Sequence, residues 1–504
     1  MLKRVSDTLQ SWISPLYAAM ICGISAICIF LPGISHGRFQ IAIPWPILLA
    51  CGAVFFVGLM VLINRCCRWP VKLRWLLLCA FVLMMVQIIA VYQYYFYTDW
   101  DIRMIMGLSD AFAHGTDQTH VLDYFSTYPN NLLLAWFFGT LERAVHSLGL
   151  HEWEYFSLLC VQSLFCAATG VLVFLILEKL FGDVRLSVFG YVMYNLLVGI
   201  SPWVSIPYSD SIGLLFPTLI LFLYVYRDIV AHRWIPWAAI AFLSWIGYKI
   251  KPQILILLFA IVIIRFLAWV REEKSARCLR SLVAFAAGAL CAVLLSHMAI
   301  ASLKTPINPE KAFGFQHFFM MGFNPEAYGV WANEDVIFSS SFKTVDERNQ
   351  ADMERAVSRI RQMGPVGVAK QLVRKTLTNY HDGTFCWAGE GVFFWEILPE
   401  KNPPLSRFLR GIYYNRSQAQ TGVNYAVWFN FEQMIWATVL VCSTLASLAG
   451  KNGDRDLIML TIIGLTLFEL LFEARARYLY IYAPFYIFLA VYGVNEFRKR
   501  LEQK

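Results

Sequence analysis

Asp99 and Asp101 flank Trp100, with Arg103 close behind, in "YYFYTDWDIRMIMGLSDAF" (Tyr94 to Phe112), where a long apolar run stops. Two carboxylates one residue apart suit two chemistries. Together they can hold a divalent cation, or one of them can take the proton from an attacking hydroxyl as a general base. Four other stretches carry residues of matching type. "PYSDS" places Tyr208 and Asp210 between two apolar runs, and "YKIKPQ" places Lys249 and Lys251 in a very short turn. "FEARARYLYIYAPF" sets Glu473, Arg475 and Arg477 ahead of a tyrosine-rich run, and "NYHDGTFCWAGEGVFFWE" (Asn379 to Glu396) holds His381 and Asp382. Lysine binds phosphate as a point charge and arginine as a planar fork. A histidine and an aspartate in a turn can exchange hydrogen bonds with a sugar.

Each stretch also has an ordinary reading. Acids and tryptophan anchor helix ends at a membrane surface, and Ser209 or Asp210 can cap the helix that follows. Long lysine side chains snorkel to headgroups, Glu473 can pair with one of the arginines, and His381 and Asp382 suit a satisfied surface turn. What separates the two sets of readings is whether the five stretches meet.

That depends on the elements that carry them. Hydrophobic residues make up 58% of the 504 and charged residues 15%, a balance foreign to soluble globular domains. Apolar runs near the ~20 residues needed to cross a bilayer recur at 12–31, 45–63, 75–97, 154–177, 186–202, 211–226, 235–248, 254–270, 282–302, 426–449, 457–473 and 478–494. The first run is long, lacks a convincing cleavage site and is followed by many others, so it reads as a spanning helix and not as a signal peptide. The expectation is an all-α polytopic membrane protein of about twelve transmembrane helices. Its parts would be an N-terminal membrane domain (1–302) with an acidic outer loop (98–153), a cap loop of mixed structure (303–425), and C-terminal membrane helices (426–504).

One run, 131–148 ("NLLLAWFFGTLERAVHSL"), decides the sidedness of everything behind it. Left out of the count, it gives inner segments holding twenty-one lysines and arginines and short outer segments holding seven, with both termini cytoplasmic. This satisfies the positive-inside rule, from which long loops are exempt. Counted as a span, it would put "REEKSARCLR" outside and bury its own Glu142, Arg143 and His146 near one end. It therefore reads as a helix in the outer interface. All five stretches then emerge on the outer face.

The net charge of +8 lies in short clusters between apolar runs, without the basic face that a nucleic-acid partner needs. Most of the twelve cysteines sit in or beside apolar runs, as small hydrophobes, and no CxxC pair suggests a metal. Cys386 is the cysteine expected outside. "NRS" (Asn415 to Ser417) is a glycosylation sequon.

With these residues in view, the chain resembles the GT-C superfamily of integral membrane glycosyltransferases. Asp99-Trp100-Asp101 stands where members carry an acidic motif in the first large outer loop, and "WDIRMI" is similar to the Trp-Asp segment of glycosylphosphatidylinositol mannosyltransferases. "YPNNLLL" looks like the Tyr-Pro-Pro-type start of the interfacial helix in bacterial members, "PYSDS" like an acidic turn two spans later, and "EARARY" like a late Arg-x-Arg-Tyr element. The chain departs from the pattern in placing three spans before the acidic loop and in carrying Asp-Trp-Asp for Asp-Glu.

The resemblance implies transfer of a sugar from a polyprenyl-phosphate carrier to a lipid-linked or cell-envelope glycan acceptor at the outer face of a bacterial plasma membrane, by an inverting displacement. Asp101 is then the expected base, with Asp99 its alternate or metal partner. Asp210, Tyr208 and His381 would serve the acceptor or a metal, and Lys249, Lys251, Arg475 and Arg477 the donor phosphate. A divalent cation is the one cofactor these residue types suggest. A lipid-linked oligosaccharide flippase or other transporter, or a glycan polymerase or ligase of another membrane fold, would also gather cations at one face.

Overall fold

The computed structural model describes residues 2–31, 43–67, 70–230, 232, 234–271, 277–391, 393–414, 424–450 and 452–502. Its helices are α1 (Leu2–Phe30), α2 (Trp45–Cys66), α3 (Leu73–Tyr94), α4 (Asp101–His114), α5 (Leu122–Thr127), α6 (Leu132–Ser147), α7 (Glu154–Phe181), α8 (Val184–Tyr194), α9 (Ser209–Gly213) and α10 (Leu215–Tyr226). They continue with α11 (Ile235–Ile250), α12 (Leu255–Arg271), α13 (Arg277–Ser302), α14 (Phe315–Gly322), α15 (Asn333–Ser340), α16 (Val345–Tyr380), α17 (Pro403–Tyr413), α18 (Tyr425–Thr444), α19 (Gly453–Leu471) and α20 (Ala483–Glu502). The sequon at Asn415 lies outside the described residues.

A helix occupies each of the twelve places where an apolar run stands. Nine of these segments, among the described residues, are long and apolar enough to cross a membrane, Val184–Gly199 and Ile235–Ile250 are shorter apolar helices, and the twelfth, α19, which carries Asp454, Arg455, Asp456 and Glu469, is in neither set. Large apolar side chains such as Val54, Phe259, Leu282 and Met298 lie exposed on the outside of the bundle, which suits contact with lipid tails. The last span is the opposite case. Its apolar window is 89% buried, and a helix that is apolar all round belongs inside. It packs against α18, α19 and α8 as a central post.

Close helix approach relies on glycine. A Cβ on Gly288 of α13 would collide with the Ala238 carbonyl of α11, whereas one on Gly23 of α1 would meet nothing. Small residues let membrane helices pack backbone to backbone. Gly288→Ala is expected to lower the unfolding midpoint in detergent, by an overpacking cost of about 1–3 kcal/mol, and Gly23→Ala to leave it unchanged or raised.

The 131–148 run forms α6, which lies against α4 and α7. Glu142, flagged as awkward to bury, is buried after all, and Ser109 of α4 donates a hydrogen bond to it. The segment expected as a cap of mixed structure is helical over α14 to α17, and among the described residues its only strand is β2 (Phe394–Glu396). β2 pairs antiparallel with β1 (Tyr97–Thr98), just ahead of the acidic pair. Part of the segment enters the bundle. From Tyr380 to Trp387 it is buried throughout, and Trp203 Nε1 donates to the Thr384 and Phe385 carbonyls at 3.2 and 3.1 Å.

Candidate functional site

Trp100 sits in the left-handed region at φ 57° and ψ −145°, an unfavourable conformation for a bulky residue. Its effect is to part the two aspartates. Asp99 turns to the surface, 51% exposed, and lies 3.9 Å from Arg103, whose guanidinium covers Trp395 at 3.5 Å. Asp101 opens α4, where the helix dipole favours a carboxylate, and turns inward. There the Tyr208 hydroxyl donates to it at 3.0 Å and Tyr124 donates a second bond. Asn131, from "YPNN", donates in turn to the Tyr124 oxygen at 2.6 Å. Asp101 nonetheless keeps partial exposure.

The neighbouring chain segments are set by equally local causes. Pro252 drives Lys251 into extended backbone, φ −151° and ψ 114°, as expected for the residue before a proline, and this ends α11. Asp210 lies in α9, just after the extended Tyr208. Arg475 is extended and Arg477 follows in a 3₁₀ turn leading into α20.

These segments meet. Lys251 Nζ forms an ion pair with Asp210 Oδ1, the two side chains 4% and 1% exposed, and Arg477 Nη1 lies 3.6 Å from the other Asp210 oxygen. Arg477 Nε is 2.9 Å from Glu390 Oε2. Arg475 Nη1 reaches Glu390 Oε1 at 2.6 Å, and its Nε lies 3.4 Å from Glu473. Arg477 also covers Trp100 at 4.6 Å and Tyr208 at 5.2 Å.

The cluster thus sets four carboxylates, Asp101, Asp210, Glu390 and Glu473, against three cations. Asp101 is the one with no cation within 4 Å among the described residues. Burial lifts its carboxyl above the ordinary aspartate range, and Arg477 and the two tyrosines hold it back only in part. A part-exposed carboxylate that is the surplus charge, with its proton affinity raised, is suited to accept a proton from a bound hydroxyl.

Asp101, Tyr208, Asp210, Lys251, Arg475 and Arg477 come together from four segments, and Asp99, Lys249 and His381 do not join them. Lys249 lies half-buried near Trp245 and Tyr248. His381 stacks on Trp45 at 5.5 Å, where burial pulls its imidazole down to about 4, so it is neutral near pH 7. Asp382 organises the turn after it, accepting from Thr384 N, Thr384 Oγ1 and Cys386 N at 2.8, 2.6 and 2.9 Å. Asp99 and Asp101 do not form a shared carboxylate pair.

Glu390, Tyr124 and Lys375 were missed in the sequence. Glu390 is carried in by a π turn at Trp387–Gly391, which follows two positive-φ residues, Phe385 and Cys386. Lys375 of α16 donates to the Phe472 carbonyl, and burial brings its ammonium down to about 7.

Fold and composition together define an all-α polytopic integral membrane protein, with a charged cluster gathered at the ends of its helices. The chain belongs to the family described as conserved hypothetical integral membrane protein, whose model matches residues 45–497 and so takes in every residue of the cluster. No curated protein matches the chain.

Proposed function

We propose that the chain is a glycosyltransferase that moves a sugar from a polyprenyl-phosphate carrier to a hydroxyl of a lipid-linked or cell-envelope glycan acceptor, on the extracytoplasmic face of a bacterial plasma membrane. The observation that carries this reading is Asp101, the unpaired, part-exposed carboxylate held by Tyr208 and Tyr124 beside Arg477. In the proposed step the acceptor O–H gives its proton to Asp101, the acceptor oxygen bonds to the anomeric carbon, and the bond from that carbon to the phosphate oxygen breaks. The polyprenyl phosphate leaves with the electron pair, and inversion follows. No nucleotide sugar is available at that face, so a lipid-linked donor is the one to hand.

Lys251, Arg475 and Arg477 carry carboxylate partners already. A departing phosphate must therefore compete with Asp210 or Glu390 for Arg477, and Arg475, bound to Glu390 and Glu473, acts as a positioning residue. Lys249 has no ion pair among the described residues and stands ready at the turn. The route for a divalent cation would run through Asp101 and Asp210, because Asp99 faces away.

One observation favours a second reading, a transporter. Glu432 and Glu469 are buried within α18 and α19, and ionisable groups inside membrane helices often line ion pathways. The two readings part on one measurement in proteoliposomes given short-chain polyprenyl-phosphate hexoses together with a bacterial glycolipid extract that supplies the acceptor hydroxyl. A transferase releases polyprenyl phosphate, seen by mass spectrometry, and a transporter moves the lipid unchanged.

The rate of a transfer based on Asp101 falls as pH drops through the pKa of that carboxyl, which lies above the usual aspartate value. Tyr208→Phe removes a hydrogen bond that favours the carboxylate. Such bonds are worth about 1.5–3 kcal/mol, so the acid limb of the pH-rate profile should move upward by about one pH unit or more, at about 1.4 kcal/mol per unit. An unmoved limb would detach Asp101 from the proton transfer.

A further inference from the structure

At the opposite end of α4 from Asp101, about 20 Å away along the helix, two of the chain's nine histidines, His114 and His146, meet Glu154 with ligand atoms within 4.8 Å of one another, and His151 stands beside them. His114 ends α4, His146 lies in the last turn of α6, and His151 and Glu154 lead into α7. His114 Nε2 lies 3.0 Å from Glu154 Oε2 and His146 Nδ1 lies 2.8 Å from Glu154 Oε1. His151 Nδ1 is 2.9 Å from His146 Nδ1 and 3.6 Å from Glu154 Oε1. The imidazole rings are in contact, with centroids 4.5 Å apart for His114 and His146 and 4.2 Å for His146 and His151. Asp110 Oδ1 stands 3.4 Å from His114 Nε2 as a further oxygen at the rim.

Two imidazoles from separate helices, α4 and α6, aim ring nitrogens at one carboxylate, and His151 joins them from the turn just ahead of it. Ligands about 2.0–2.1 Å from a tetrahedral Zn²⁺ stand roughly 3.3 Å apart, and the separations here bracket that spacing. Imidazole with a single carboxylate is a donor set for a borderline transition metal, unlike the all-oxygen sets of Ca²⁺ and Mg²⁺. Glu154 is the most buried of the four and the histidines open to solvent, with His146 45% and His151 60% exposed. An ion has a path in, and the carboxylate is fixed before it arrives.

We propose that His114, His146 and Glu154, with His151 beside them as the fourth ligand on closure, form a binding site for a divalent transition metal, Zn²⁺ by chemistry, which clamps the far ends of α4 and α6 to the start of α7. The site is separate from the Asp101 cluster and does not depend on the proposed transfer reaction. Because α4 carries Asp101 at its other end, the clamp fixes the helix that presents the carboxylate.

The test uses the untagged full chain in detergent, stripped with a chelator and titrated with ZnCl₂. One Zn²⁺ per chain is expected by elemental analysis and calorimetry, together with a rise in unfolding temperature on adding the ion. X-ray absorption should find light N/O ligands near 2.0–2.1 Å. The His114→Ala/His146→Ala double variant should lose at least 100-fold in affinity, and the conservative His151→Gln variant, which keeps the surface polar, at least tenfold. His232→Ala, elsewhere on the chain, should bind as the parent does. Binding below stoichiometry, or unchanged affinity in the His114/His146 variant, would overturn the site.

Discussion

Asp101→Asn is expected to reduce sugar transfer in membranes by two to four orders of magnitude, the range that a positioned general base supplies, while Asp99→Asn stays within a few-fold of the parent. The two residues differ by environment and not by type. Asp101 meets Tyr208 and Tyr124 in the interior, and Asp99 shares a surface ion pair with Arg103, which is worth little. Asparagine keeps the shape and still accepts a hydrogen bond from Tyr208, so the variant should fold and express, and the loss should fall on turnover. Equal activity in both variants would remove Asp101 from the reaction. Loss in Asp99→Asn alone would transfer the role to the surface carboxylate.

The second large effect concerns stability. Lys251→Met is expected to destabilise the protein by about 3–5 kcal/mol, the usual cost of breaking a buried ion pair from one side, because Asp210 would keep only the longer contact to Arg477. Asp210→Asn should cost a similar amount, since it strands Lys251. The Lys251→Met/Asp210→Asn double variant should recover most of the loss, because neither partner is left charged without the other and Arg477 keeps Glu390. Unfolding midpoints in detergent for the two singles and the double close the cycle. Additive losses would mean that the two side chains do not act as a pair.

The helices were legible because hydrophobicity written over ~20 residues needs no knowledge of tertiary contacts. The meeting of the polar stretches was legible too, since alternating spans bring every second turn to the same end. The choice between Asp99 and Asp101 was not, because it rests on the positive φ of Trp100, which no spacing rule predicts for tryptophan. Glu390 escaped for a different reason. It lies in an aromatic-rich stretch that suited an outlying cap, and only the burial of Phe385, Cys386 and Trp387 shows that this stretch enters the bundle. The histidine cluster drew no notice in the sequence, because His114 and His146 come from helices that only packing brings to Glu154.

The partners of Arg477 lie far back along the chain, at Asp210 and Glu390, and Arg477 itself arrives with the final helix, the central post of the bundle. Asp210 and Lys251 thus enter the membrane before Arg477 does, and they must balance each other until α20 packs.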